Sequence, residues 1–303
     1  MKTRLTIVVF IAVLLALPSL LFAQGPPSFT GHYVPGVEGI KGSSLPPPGF
    51  YVRDYNVFYF ASRLNDANGD KSPLDVDAFV YANLLRGIWI TDWKLLGGSV
   101  GVDMIVPFVN TALSVKSGSA TLYDKSIFGI GDLYFEPLTL SWHGQRYDAA
   151  FGYSFFAPTA SSSPGTAKPG KGFWTQLITL GGTVYLDEEK TWSLSALNRY
   201  EFNAEEKDTH ITPGQIWTLE WGLSKLVTKT VDVGLIGYYQ LQTTKDSGAG
   251  ASGDRDQVVG IGPEIVAFCP RLGLFASLRY AREFAAQDRT EGNTVALTFT
   301  RRF

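Results

Sequence analysis

The last ten residues of the chain alternate between two kinds of side chain. Val295, Leu297, Phe299 and Phe303 are large and apolar, the even-numbered positions are small or polar, and Arg301 is the exception. A period of two places each kind on one face of a β-strand. An aromatic residue that closes such a strand is typical of an outer-membrane β-barrel, whose last strand must pair with its first. The C-terminus therefore favours a closed membrane barrel over a soluble β-sandwich.

Residues 1–23 have the features of a secretory leader. Lys2 and Arg4 precede a short apolar run at 7–17, and Ala23 offers a small residue at the cleavage position. The run is shorter than the roughly 20 apolar residues of a membrane helix. No cysteine follows the cleavage position, which argues against a lipid anchor. We therefore expect a signal peptide and an exported protein.

Charge and cysteine content exclude several kinds of partner and site. The chain has 26 basic and 28 acidic residues, and removal of the leader with Lys2 and Arg4 leaves a formal charge of −4. This mildly acidic balance argues against nucleic acid as a partner. Cys269 is the single cysteine, so an internal disulfide and a cysteine-based zinc site are excluded. We expect no cofactor.

Period-two runs bounded by Gly, Pro, Asp and Asn predict about 12 strands between residues 50 and 303. The gaps after even-numbered strands are short, and those after odd-numbered strands are longer and polar, except at 287–290. The longer gaps are 63–74, 110–127, 160–172 and 245–255. Short periplasmic turns and longer outer loops are typical of outer-membrane barrels. We therefore expect an all-β chain that forms a single transmembrane antiparallel β-barrel in a bacterial outer membrane.

Several predicted strands have one apolar and one polar face. Trp217, Leu219 and Trp221, for example, alternate with Thr218 and Glu220. The apolar faces would meet lipid and the polar faces the lumen, where charges can brace the wall or filter a solute. Nine ionisable residues are predicted to line the lumen and the substrate path: Asp103, Asp148, Arg199, Glu201, Glu220, Asp232, Glu264, Arg279 and Glu283.

Residues 24–49 carry neither a strand period nor a helix period. One interpretation is a flexible periplasmic segment that leads into the barrel. The other is a plug that folds into the lumen, with His32, Tyr33 and Pro35 as its specific contact residues. The sequence leaves both interpretations open.

Motifs of enzymes and metal sites are incomplete. The loop 165–171 resembles a phosphate-binding loop, but Gly172 stands where Ser or Thr is required. The loop 66–77 resembles a calcium loop, but Lys71 stands where Gly is required. The three histidines form no metal-binding pair, and no catalytic triad is visible. We predict no catalytic residues, no metal site and no enzyme activity.

Two short motifs identify a known family. Gly-His-Tyr-x-Pro-Gly at 31–36 and Pro-Pro-Pro-Gly-x-Tyr at 46–51, followed by an aromatic first strand and a terminal Phe, resemble the family named for a MetA pathway of phenol degradation. The resemblance covers essentially the whole mature chain. It implies an outer-membrane transporter for aromatic or amphiphilic compounds, often encoded near catabolic genes, and it supplies no catalytic residues.

The leading hypothesis is a channel for passive uptake of small hydrophobic, aromatic or amphiphilic compounds. Its expected partners are the lipid bilayer, lipopolysaccharide, the barrel assembly machinery and the solute. A surface enzyme of the lipase or protease type and a structural barrel without flux remain alternatives. Whether solute leaves along the barrel axis or sideways into the bilayer also stays open.

Overall fold

Neighbouring strands of the sheet pair antiparallel, and the pairing returns to the first strand. The computed structural model describes residues 30–303; the predicted leader and residues 24–29 lie outside the described residues. The strands are β1 (Gly49–Leu64), β2 (Asp75–Leu95), β3 (Gly98–Ser117), β4 (Ala120–Ile130), β5 (Leu133–His143), β6 (Tyr147–Ala157), β7 (Thr175–Tyr185), β8 (Trp192–Asn203), β9 (Ile216–Thr228), β10 (Val231–Gln242), β11 (Gln257–Cys269), β12 (Leu274–Gln287) and β13 (Thr290–Arg302). Within residues 30–303, no helix has the length and apolarity needed to cross a membrane.

Closure of the barrel depends on β1. This strand pairs with β2 on one side and with β13 on the other, from Tyr51 opposite Arg302 to Leu64 opposite Thr290. Twelve strands form the ring, and β4 pairs with β3 alone. The predicted antiparallel barrel of about 12 strands is confirmed, with one strand more than expected.

The additional strand corrects the prediction of an outer loop at 110–127. Residues up to Ser117 continue β3, and β4 begins at Ala120 after a two-residue turn in which Gly118 has a φ of 54°. The first half of β3 pairs with β5 and the second half with β4. The segment is therefore a hairpin of two paired strands and not a loop.

The two ends of the barrel have different connections. We call the end at which β1 begins and β13 ends the periplasmic end, and the opposite end the outer end. The connections at the periplasmic end are 96–97, 144–146, 186–191, 229–230 and 270–273. Those at the outer end are 65–74, 118–119, 158–174, 204–215, 243–256 and 288–289. The predicted alternation of short periplasmic turns and longer outer loops is therefore observed, apart from the two-residue outer turns at 118–119 and 288–289.

The faces of the wall follow the alternation in the sequence. In β8, Leu194 and Ala196 point outward and are exposed, whereas Ser193, Ser195 and Arg199 point inward and are buried. Apolar side chains on the outside suit lipid, and closure gives each of the twelve ring strands a partner on both sides. Exposed tryptophans lie near strand ends, where aromatic belts meet the two membrane interfaces; they are Trp89, Trp93, Trp174 and Trp192.

Pro137 causes an irregularity in β5. The register between β5 and β6 shifts between Phe135 and Leu138. A bulge of this kind changes the direction of the neighbouring side chains. Glu136 is consequently buried inside the barrel and not exposed to lipid.

Candidate functional site in the barrel lumen

Residues 30–48, which we call the inner segment, pass through the lumen before the first strand begins. At the outer end, Nζ of Lys171 donates to Thr30 Oγ1 at 2.7 Å and to its carbonyl at 3.1 Å. At the periplasmic end, Nη2 of Arg302 donates to the carbonyl of Pro48 at 2.8 Å. The chain therefore runs from the outer end to the periplasmic end along the inside of the wall.

Carboxylates of the wall bind the backbone of the inner segment. Glu201 of β8, Glu220 of β9 and Glu264 of β11 all point into the lumen and are buried. Backbone N–H groups in a chain without a strand partner need acceptors, and ionised carboxylates are strong ones. The donors are the backbone N–H groups of His32 (2.9 Å) and Tyr33 (3.0 Å) to Glu201, of Gly36 (3.0 Å) and Glu38 (3.2 Å) to Glu220, and of Ile40 (2.6 Å) to Glu264.

Glycines in the inner segment allow this close approach. Gly39 has a φ of 71°, and a Cβ added there would lie 2.2 Å from Oε2 of Glu264. A Cβ at Gly31 would lie 2.6 Å from Oε2 of Glu201. Contacts this short require a residue without a side chain. The glycine of the Gly-His-Tyr-x-Pro-Gly motif that precedes His32 therefore has a direct packing role.

Glu38 joins the inner segment to three arginines in the middle of the lumen. Its carboxylate accepts hydrogen bonds from Arg86 at 2.9 Å, from Arg53 at 3.1 Å and from Arg199 at 3.3 Å. The hydroxyl of Tyr55 donates to the same carboxylate at 3.2 Å. Buried charges are tolerated only when they are paired and hydrogen-bonded, and this group meets both conditions.

Arg86 extends the network into the wall. Its Nε and Nη2 bind the two carboxylate oxygens of Asp103 at 3.0 and 2.7 Å, and Nη2 also lies 3.3 Å from Glu136. Arg279 forms a comparable link on the opposite side, donating to Glu264 at 3.2 Å and to the carbonyl of Val37. Charged wall residues therefore fix both the backbone and the central carboxylate of the inner segment.

His32 attaches the inner segment at its outer end. Its Nε2 lies 3.1 Å from Asp132, its Nδ1 lies 2.8 Å from the hydroxyl of Thr175, and its ring stacks on Phe156 at 4.8 Å between centroids. Burial lowers the pKa of His32 below its usual value, although the hydrogen bond to Asp132 opposes that effect. Asp132 also accepts from the backbone N–H of Lys171 at 2.7 Å, which ties the outer loop to the same point.

Two cavities lie on opposite sides of the central charges. The periplasmic cavity has a volume of about 720 Å³, and the outer cavity has a volume of about 300 Å³. Glu38, Arg86 and Arg199 line both of them. The two cavities therefore mark a path through the barrel that is interrupted by an ion-pair cluster.

The outer cavity has mainly apolar walls. Its aliphatic side is formed by Val80, Leu84 and Ile105 of β2 and β3, and Pro107 and Val109 continue that side. The aromatic residues at its border are Tyr33, Tyr55, Tyr134 and Phe156. Ligand pockets for small molecules are commonly of this kind, largely apolar with a few polar groups.

The wall beside the outer cavity is covered by a loop. The free edge of β4 lies next to the loop 158–174, where the backbone N–H of Ala167 donates to the hydroxyl of Tyr123 at 3.0 Å. A Cβ at Gly129 would lie 3.0 Å from Pro169. Asp132 and Pro169 also line the outer cavity. Within residues 30–303, loop contacts and no ladder of strand hydrogen bonds close this part of the wall.

Comparison with known proteins places the chain in a family. Residues 61–299 match the sequence model of the family described as "Putative MetA-pathway of phenol degradation". The chain belongs to this family. No curated protein sequence matches it.

One solved outer-membrane channel shares the fold of this family member, and two further outer-membrane barrels resemble it less closely. An outer-membrane channel from Pseudomonas putida F1 has a TM-score of 0.75 at 14% identity, over 90% of this chain and 100% of the other. The β domain of the Bordetella autotransporter BrkA has a TM-score of 0.49 at 13% identity, over 84% and 99% of the two chains. The CymD monoaromatic hydrocarbon channel has a TM-score of 0.42 at 10% identity, over 92% and 98%. The chain is a β-barrel of the bacterial outer membrane.

The nine ionisable residues that the sequence singled out are all buried in this family member. Six of them contact the inner segment. Glu201, Glu220, Glu264, Arg199 and Arg279 make the bonds described above, and Asp232 pairs with Lys41. The other three hold wall side chains: Asp103 binds Arg86, Asp148 accepts from Tyr185, and Glu283 accepts from Tyr59 and Tyr238.

The residues proposed for a plug lie within the inner segment. Besides His32, the hydroxyl of Tyr33 donates to Glu220, and the Tyr33 ring lies 4.1 Å from the Arg199 guanidinium carbon. Pro35 is buried.

Of the central cluster formed by Glu38, Arg53, Arg86 and Arg199, sequence reasoning found only Arg199. Glu38 stands in a segment without periodicity, and Arg53 and Arg86 lie in β1 and β2, for which the sequence analysis assigned no inward residues. Glu136 precedes the irregularity at Pro137, so an alternation extended back from Thr139 and Ser141 misplaces it. One usable signal was that these two membrane strands each contain an arginine, Arg53 in β1 and Arg86 in β2, since such a charge requires a partner inside the barrel.

The two motif-like loops have structural roles. The backbone N–H groups of Asn68 and Asp70 both donate to Oδ1 of Asp66 at 2.9 Å, so this carboxylate stabilises the turn. Lys171 contacts Thr30 and Asp132, as described above. In the part of the chain that the structure describes, no group of three or more His, Cys, Asp or Glu side chains is arranged to hold a metal.

Proposed function

We propose that this outer-membrane barrel is a channel for passive uptake of small hydrophobic, aromatic or amphiphilic compounds. The observation that carries the proposal is the pair of cavities, which together extend along the lumen and meet at Glu38, Arg86 and Arg199. The family description names phenol degradation, which supports an aromatic solute. The fold of the P. putida channel supports transport over catalysis.

The chemistry of the path supports an amphiphilic solute. Aromatic and aliphatic side chains of the outer cavity can replace water around an apolar ring. The charged groups at the junction can bind its polar substituent. A wide water-filled pore would have neither the apolar lining nor the inner segment across it.

We propose that solute passes the wall beneath the loop 158–174 as well as along the axis. The outer cavity reaches this loop at Pro169 and Lys168. Loop contacts open at a lower free-energy cost than a paired strand ladder, because fewer hydrogen bonds are lost. An apolar solute could then exchange with the bilayer without crossing the polar outer surface.

The proposed partners follow from the same reasoning. Lipopolysaccharide would surround the outer end, and the barrel assembly machinery would read the terminal strand that ends at Phe303. The ring centroid of Phe303 lies 6.3 Å from that of Phe50, at the seam between the first and last strands. We propose no enzyme activity for the lumen, because its carboxylates and arginines bind the inner segment and each other.

Uptake by cells tests the proposal. A porin-deficient Gram-negative host that produces the protein should take up radiolabelled phenol faster than the host with an empty vector, whereas sucrose uptake should not change. Ala82→Trp, which fills the outer cavity, should lower phenol uptake severalfold. Ala149→Trp on the outward face of β6 is the matched control and should have no effect.

Two results would contradict the proposal. Equal phenol uptake with and without the protein would indicate a barrel without flux. Faster release of product from an ester or peptide substrate, abolished by a change in an outer loop, would indicate a surface enzyme.

A further inference from the structure

The side chains that line the two cavities carry an excess of positive charge, although the chain as a whole is negative. Seven arginines and lysines and four carboxylates line the periplasmic cavity, and four arginines and lysines and two carboxylates line the outer cavity. The described residues together have a formal charge of −4, because Lys2 and Arg4 lie outside them. A cavity lined by one sign of charge attracts solutes of the opposite sign. The charges on the cavity linings therefore favour an anion.

Arg199 offers a hydrogen-bond donor at the junction of the two cavities. Its side chain is 7% exposed, and Nη1 has no hydrogen-bond partner among residues 30–303. The other guanidinium nitrogens are used: Nη2 binds Glu38 at 3.3 Å, and Nε binds the hydroxyl of Thr179 at 3.4 Å. A buried donor without an acceptor is costly, so an acceptor atom of a solute would improve this site.

The central cluster already binds one carboxylate. Glu38 of the inner segment occupies the space between Arg53, Arg86 and Arg199, and it makes a hydrogen bond to each. Arginine guanidinium groups match the geometry of carboxylates and bind them more strongly than neutral hydroxyls. The intramolecular contact therefore indicates which functional group of a solute this cluster would recognise.

The ring of the solute would lie in the outer cavity. Its 300 Å³ suit one aromatic ring with small substituents, and the rings of Tyr33, Tyr134 and Phe156 border it. A carboxylate attached to that ring could reach the junction, because Arg199 lines the outer cavity as well as the periplasmic one.

We propose that the solute is a small aromatic carboxylate, bound by Nη1 of Arg199 with its ring in the outer cavity. The inference rests on the proposed function and narrows the solute from aromatic compounds in general to their anionic members. Glu38 competes with the bound carboxylate for the same arginines.

Binding of three matched probes tests the inference. Benzoate, benzyl alcohol and benzylamine differ in charge but share a ring, and calorimetric titration of the purified full chain in detergent compares them. Benzoate should bind at least tenfold more tightly than benzyl alcohol, and benzylamine should not bind. Arg199→Gln should abolish that preference, and Glu38→Gln should strengthen benzoate binding, because it removes the competing carboxylate.

Arg282→Gln is the control for loss of one positive charge. Arg282 is exposed on the outward side of β12, so its substitution should leave the preference intact. The unmodified protein supplies a second measurement that does not depend on a variant. In a planar bilayer with a KCl gradient, its reversal potential should show that chloride passes more easily than potassium.

The outcomes separate this inference from the proposed function. Equal binding of benzoate and benzyl alcohol, or a potassium-selective reversal potential, overturns the carboxylate site. If cells then still take up phenol through the protein, the channel function stands and only the solute class is wrong. If neither phenol nor benzoate uptake depends on the protein, the proposed function fails as well.

Discussion

Gly39 leaves no space for a side chain where the inner segment meets Glu264. We expect Gly39→Ala to weaken docking of the inner segment, because the new Cβ would collide with the carboxylate and the φ of 71° disfavours an L-residue by roughly 1–2 kcal/mol. Single-channel conductance should rise as the segment detaches. Limited proteolysis of the folded barrel should then cut within residues 30–48.

A second glycine variant separates the effect of backbone strain from the effect of a steric clash. Gly97 has a φ of 79° but nothing within 4 Å of an added Cβ. Gly97→Ala should therefore lose stability without any change in conductance. Equal conductance changes in the two variants would mean that the contact with Glu264 does not hold the inner segment.

His32 should make docking of the outer end depend on pH. Because burial lowers its pKa in the docked state below 6.5, the undocked state binds a proton more readily. Docking is then fully stable above about pH 6.5, and it weakens as pH falls from that value towards the lower pKa of the docked state. Conductance recorded between pH 8 and pH 5 should rise on acidification.

Two histidine variants check this assignment. His32→Gln should remove most of the pH dependence. His210 is exposed in an outer loop, and Glu205 raises its pKa through a hydrogen bond, so His210→Gln should leave the dependence in place. A profile unchanged by His32→Gln would assign the titration to another group.

Among the elements, the loop 158–174 is the one that we expect to move. A disulfide between Gly129→Cys and Pro169→Cys should fix it to β4, because an added Cβ at residue 129 already lies 3.0 Å from Pro169. In a Cys269→Ser background, oxidation should lower phenol uptake, and a reductant should restore it. Uptake that is insensitive to oxidation would favour an axial path alone.

The elements differ in how well sequence reasoning found them. Strands such as β8 were predictable because lipid outside and water inside enforce strict alternation over their length. The hairpin of β3 and β4 was missed at 110–127, because polar residues interrupt both faces of β4. Its alternation is weaker, and its turn needs only two residues.

At the scale of the whole molecule, the inner segment is the main obstacle in the lumen. Deletion of residues 31–45 should raise ion conductance severalfold, because it removes the chain that occupies the lumen and the contacts of Glu38. The melting temperature should fall, since Glu201, Glu220 and Glu264 would lose their backbone partners. Conductance equal to that of the full chain would show that the segment does not restrict flow.

The site as a whole was only partly visible in the sequence. Period-two alternation was sufficient to select inward charges such as Glu220 and Arg279. Alternation could not show that these charges bind the inner segment. Residues 30–48 have no periodic pattern from which the position of each residue along the barrel axis could be predicted. The cluster around Glu38 depends on tertiary pairing between residues far apart in the chain, which local patterns do not encode.

The course of the inner segment has a consequence for biogenesis. Several of its partners lie far along the chain: Glu201 is 168 positions after Tyr33, and Glu264 is 224 positions after Ile40. Such high contact order makes these interactions slow to form. While β1 and β13 pair, the inner segment of the newly exported polypeptide must also stay inside the closing barrel. We therefore expect folding in two kinetic steps. Pairing of β1 with β13 closes the barrel first, and the inner segment docks in the lumen second.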